Sequence, residues 1–144
     1  MNETDRSPAD CGRRALVVFD GRASLPWLRL LRPGFRHCMV VVESDGGWVL
    51  LNPLSGFTEI LALPLLTAED IRTHFTADRY RIVEWHIPEP LPRAPAPWGP
   101  YTCVEVVKRT LGIHDRWVMT PWRLFRHLQK ISRKKFLDLP PALT

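Results

Sequence analysis

The sequence predicts an α+β domain, a small antiparallel β-meander sheet packed against helices, and three observations carry that prediction. Short β-branched runs separated by turn residues occupy positions 15–63. Two stretches with helical spacing of apolar residues, each opened by a threonine, occupy the last third. The chain has 144 residues, 45% apolar and 24% charged, the size and composition of one soluble globular domain.

The elements follow in order. Residues 1–14 are polar and read as a disordered tail; they lack the apolar stretch of a secretory signal, so the expected location is the cytoplasm. Residues 15–20 (ALVVFD) predict the first strand. Residues 21–34 hold Trp27, four leucines and the prolines Pro26 and Pro33, and predict a helical turn or lid. Residues 36–43 (RHCMVVVE) predict a strong strand, and 48–52 (WVLLN) return as its hairpin partner across Ser44-Asp45-Gly46-Gly47. Residues 57–63 predict a third antiparallel strand. Thr67, followed by Glu69 and Asp70, caps a short helix over 68–76, and 79–87 predict another strand.

Six prolines then fall within residues 88–100, an extended connector that cannot continue a sheet ladder. After it, Thr102 and Glu105 stand in capping-box spacing before a helix that stops at Gly112. Val106, Val107, Thr110 and Leu111 are expected on the face of Cys103. Thr120-Pro121 opens the last helix, with Leu124, Phe125, Leu128 and Ile131 as its apolar stripe. One α+β domain is expected over 15–132, and a basic, proline-containing tail over 133–144. No apolar run approaches the roughly 20 residues of a membrane span.

Charge is uneven. Residues 101–144 carry nine Lys and Arg against Glu105, Asp115 and Asp138, whereas 1–100 carry eleven Arg against twelve acids. The basic block is either a solvated helix face or a seat for an anionic partner. Nucleic acid is not expected, since no reader motif accompanies the charge. Three cysteines make no paired framework, and no metal-ligand spacing occurs, so neither a disulfide scaffold, a metal nor a cofactor is expected.

Cys103 is the most informative residue. At the first helical position, unpaired backbone N–H groups and the helix dipole favour a thiolate, which would be nucleophilic near neutral pH. A small apolar residue under the sheet is the competing reading. A nucleophilic cysteine needs a base and a group that orients the base. His37 opens an apolar strand after Pro33-Gly34, where its ring faces either a cleft or the rim of the core. The hairpin brings Asn52 to the same end, where its amide oxygen would fix the imidazole tautomer; otherwise Asn52 merely starts a turn. Trp98 and Tyr101, just before Cys103, would wall a cleft or donate to an oxyanion, or pack the proline connector. Trp48, Trp117 and Trp122 are expected as core anchors. Glu105 is accounted for by the capping box.

His37 in Arg-His-Cys-Met-Val-Val-Val, the Asp45-Gly46-Gly47 hairpin and Tyr101-Thr-Cys103-Val-Glu105-Val-Val together resemble the circularly permuted NlpC-type papain-like hydrolases, a group that includes the lecithin–retinol acyltransferase relatives and small bacterial and phage-borne proteins. The resemblance covers roughly residues 35–112. It implies a permuted papain-like architecture with Cys103 as nucleophile, His37 as general base and Asn52 as the orienting group. Asn52 departs from the pattern, because many relatives carry a second histidine or an acid there. The implied activity is a thiol hydrolase, an amidase or peptidase acting on a peptide or amide substrate, with peptidoglycan peptides first and a phage-tail setting as one route outward. A non-catalytic binding or assembly module on the same fold is the alternative.

Overall fold

The computed structural model describes residues 12–22, 25–76, 79–91 and 101–137. Within them run β1 Gly12–Asp20, β2 His37–Ser44, β3 Gly47–Pro53, β4 Thr58–Pro64, α1 Ala68–His74, β5 Tyr80–Pro88, α2 Cys103–Leu111 and α3 Pro121–Leu137, with a 3₁₀ helix over Pro26–Leu30. The strands form one antiparallel open sheet in the order β4-β3-β2-β1-β5. The α+β class is therefore the observed one. The first four strands make the expected meander, and β5 returns to the other side of β1.

Strand alternation sorts the core into two layers. Ala15, Val17, Phe19, Cys38, Val40, Trp85 and Ile87 face α2 and α3, meeting Val104, Val107, Leu111, Leu124 and Leu128. Leu16, Val18, Met39, Val41 and Trp48 face the other way, against Ile71 of α1. The buried seam of α2 is thus Val104–Val107–Leu111, with Cys103, Val106 and Thr110 at its margin. The stripe expected on α3 is the one that packs.

Tight backbone positions fix the two turns that matter. At Gly47, φ is 136° and a Cβ would lie 2.6 Å from the Leu63 carbonyl oxygen, so the β2–β3 turn and the approach of β4 both require glycine. Gly112 ends α2 in the left-handed region, φ 71°.

Several expectations need correction. β1 starts at Gly12, because β5 extends to Pro88 and offers Gly12, Arg13 and Arg14 ladder partners. Three residues assigned to the polar tail are therefore strand; residues 1–11 lie outside the described ones. α3 runs to Leu137, into the expected C-terminal tail, of which 138–144 lie outside. The capping box at α2 is half made. The Glu105 N–H donates to Thr102 Oγ1 at 3.3 Å, but the Glu105 carboxylate turns to Lys108 Nζ at 3.0 Å and Arg109 Nε at 2.9 Å. The reciprocal box forms at α1 instead, between Thr67 and Asp70. Lys108, counted among the basic block, is buried by this pairing. Trp48 is a core anchor and Trp122 packs on Phe35 and Phe125, whereas Trp117 is exposed. No helix among the described residues is long and apolar enough to cross a membrane.

Candidate active site

At one end of the sheet the C-terminus of β1, the start of β2 and the end of β3 meet the N-terminus of α2. A cleft of about 850 Å³ opens there, lined by Asp20, His37, Asn52 and Cys103 at its polar end. Its walls come from Trp27 and its neighbours on the 3₁₀ segment, Leu54 and Phe57 of the β3–β4 loop, and Met119 before α3.

Each polar side chain arrives by a local cause. Thr102 caps α2 and sets Cys103 on its first turn, half-buried, where the free N–H groups of the helix start favour negative charge. His37 is the first residue of β2, paired with Asp20 of β1. The β2–β3 ladder begins only at Val40–Leu51, so His37 lies beyond its last rung and the next residue of β3 is Asn52. A side-chain bond takes over where the ladder stops: His37 Nε2 donates to Asn52 Oδ1 at 2.8 Å. The acceptor can only be the amide oxygen, because Asn52 Nδ2 donates to Glu59 Oε2 at 3.0 Å. Glu59 sits directly opposite Asn52 on β4. The chain Glu59–Asn52–His37 thus fixes the ring and its tautomer, leaving Nδ1 for the sulfur.

The sulfur has a second neighbour, Cys38. The Cys103 thiol is drawn down to about 4, first by a hydrogen bond from the Cys38 thiol, then by the hydrogen bond and charge of His37 and the Cys38 backbone N–H, against a burial effect that works the other way. His37 moves the opposite way. Burial disfavours its cation, but bonds to Cys103 and Asn52, with the thiolate and Asp20 charges, hold its pKa above the ordinary histidine value. Cys38, sealed in the core, is pushed well up and stays a thiol donor. Together the two shifts favour a thiolate facing an imidazolium. Compared with known proteins, the chain matches no family model, no curated protein and no solved structure.

Cys103, His37 and Asn52, named from the sequence, are brought together. Tyr101 lines the cleft but its hydroxyl bonds Thr58 Oγ1 at 3.0 Å, which ties β4 to the entrance of α2; that makes it a wall. Trp98 lies outside the described residues. Three neighbours were not singled out in the sequence. Glu59 depends on the β3–β4 register, and Asp20 on pairing with His37. Cys38 follows His37 directly, and strand alternation points the two to opposite faces. Asp20 is buried in the cleft, accepting the Arg22 N–H at 2.9 Å and Arg22 Nε at 3.2 Å. Of the five histidines, His37 alone lines the cleft.

Proposed function

We propose that this chain is a thiol hydrolase of amide or ester bonds, built on a permuted papain-like architecture. The observation that carries the reading is the convergence of Cys103, His37 and Asn52 in one open cleft, with the thiol pulled down and the imidazole pulled up. The thiolate attacks the substrate carbonyl carbon and the oxyanion forms beside the first-turn N–H groups of α2. His37 then gives its Nδ1 proton to the leaving nitrogen or oxygen, and the bond to the acyl carbon breaks. Water attacks the thioester while His37 takes a proton from it, the acid leaves, and the ion pair is restored. Asn52 holds the ring in the tautomer that both transfers need.

Peptidoglycan peptides are the substrate class that the family resemblance implies first. The walls of the cleft point rather to an acyl group with substantial apolar surface, since Trp27, Leu28, Leu54, Phe57 and Met119 offer little to a small polar peptide.

The test is acyl-enzyme trapping. Mixing the protein with p-nitrophenyl hexanoate should release one equivalent of nitrophenolate in a burst and add one hexanoyl group, localised to Cys103 by peptide mass spectrometry. Cys103→Ala should show neither. Absence of the burst, or acylation spread evenly over the thiols, would leave the binding-module reading in its place.

A further inference from the structure

Three separate segments surround the cleft mouth, and each exposes large apolar side chains. The 3₁₀ segment presents Trp27 and Leu30, 61% and 90% exposed; the β3–β4 loop presents Phe57, 64% exposed; the approach to α3 presents Met119, 57% exposed. Trp27, Phe57 and Met119 all line the same cleft, so these are the rim of one opening and not scattered surface residues.

The charges on these segments have one sign. Residues 21–36 carry Arg22, Arg29, Arg32 and Arg36 and no acid; residues 53–58 are uncharged; residues 116–126 carry Arg116, Arg123 and Arg126 and no acid. α3 continues the series, with Arg123, Arg126, Lys130 and Arg133 exposed at spacings of three and four on one helix face. The carboxylate that lines the cleft, Asp20, is engaged by Arg22, and Glu59 is engaged by Asn52. Arg36 also lines the cleft, and its buried Nε has no hydrogen-bond partner.

We propose that the rim of this cleft is a docking surface for a lipid bilayer bearing anionic headgroups. Trp27, Leu30 and Phe57 enter the interfacial layer, where indole, phenyl and leucyl groups partition well. The arginines lay their stems along the apolar surface and meet the phosphates with their guanidinium groups. Apolar residues standing out on separate loops suit a deformable partner, which needs no matched contour; a rigid protein partner would call for a shaped face. Docking in this pose turns the cleft toward the membrane. The proposal rests on where the cleft opens and not on its thiol chemistry.

Sedimentation of the full chain with sucrose-loaded vesicles tests it. Phosphatidylcholine–phosphatidylglycerol vesicles should carry the protein down, and phosphatidylcholine alone should bind at least about tenfold less. Leu30→Glu and Phe57→Glu, both at exposed positions on the rim, should each weaken binding about tenfold or more. Leu65→Glu, an equally exposed leucine away from the cleft, should bind as wild type. Three results would overturn the proposal: no phosphatidylglycerol-dependent sedimentation; Leu30→Glu and Phe57→Glu sedimenting like wild type, which assigns the binding to basic charge alone; or retention on immobilised polyglutamate, lost in the same variants, without vesicle binding, which assigns the rim to an acidic protein. Alkylation of Cys103 in these variants reports the thiol site separately, so failure of one reading leaves the other standing.

Discussion

The two ends of the β2–β3 hairpin carry similar polar pairs and have different consequences. At the turn end, Arg14 donates Nε and Nη2 to Glu43 at 3.0 and 2.8 Å and lies over the Trp48 ring. The pair is well shaped but open to water, which screens it. At the other end, the Glu59–Asn52–His37 chain runs inward to the thiolate and the start of α2. Hydrogen bonds of similar length lie at the open surface at one end and orient the imidazole beside the Cys103 sulfur at the other. What differs is burial, the helix terminus and the presence of a titratable sulfur.

That comparison can be broken by substitution. The largest effect is expected from His37→Ala, which removes the acid and base at once and should lower the acylation rate about 100-fold or more. Wild-type kcat/KM should follow a bell, rising through the low Cys103 pKa near 4 and falling as His37 deprotonates above its ordinary value. A smaller loss, on the order of tenfold, is expected from Asn52→Ala, with the alkaline limb moving down because the bond that favours the imidazolium is gone. Glu59→Gln should lose less still, since its amide oxygen can accept the same Asn52 proton, whereas Glu59→Ala should resemble Asn52→Ala. The least effect belongs to Arg14→Ala: under about 1 kcal/mol of stability by chemical denaturation, and an unchanged rate of Cys103 acylation. A turn-end substitution that moved the Cys103 rate would break the contrast between the two ends.

The parts of the site legible in the sequence are those set by local rules. Thr102 marks the helix start, and with it the place of Cys103; the length of the Ser44–Gly47 turn sets which residue of β3 reaches His37; Gly112 marks the stop. Glu59 was not legible, because its position opposite Asn52 follows from how the 54–57 loop sets the β4 register. Asp20 reads as the end of an apolar strand until β1 and β2 are paired. Alternation places Cys38 and His37 on opposite faces, so the strand pattern gives no sign that both act on the Cys103 sulfur. Lys108 misleads in the other direction, since a lysine reads as solvent-facing unless a carboxylate one turn earlier goes in with it. The meander, the returning strand and the stripe on α3 were legible because period and capping agree there. The apolar rim was seen only as leucines between prolines, with no sign of what it surrounds.

The most direct measurement is the rate of iodoacetamide alkylation at Cys103, resolved by peptide mass spectrometry from acid to alkaline pH, in wild type, His37→Ala and Cys38→Ala. The wild-type rate should reach its plateau well below the range in which glutathione, titrated alongside, becomes reactive. Its apparent pKa should lie near 4 and should rise in both His37→Ala and Cys38→Ala, each of which removes a hydrogen bond to the sulfur. A Cys103 that is inert across the range, or that titrates with the ordinary thiol value of about 8.5 in all three proteins, would contradict the ion pair and with it the catalytic reading.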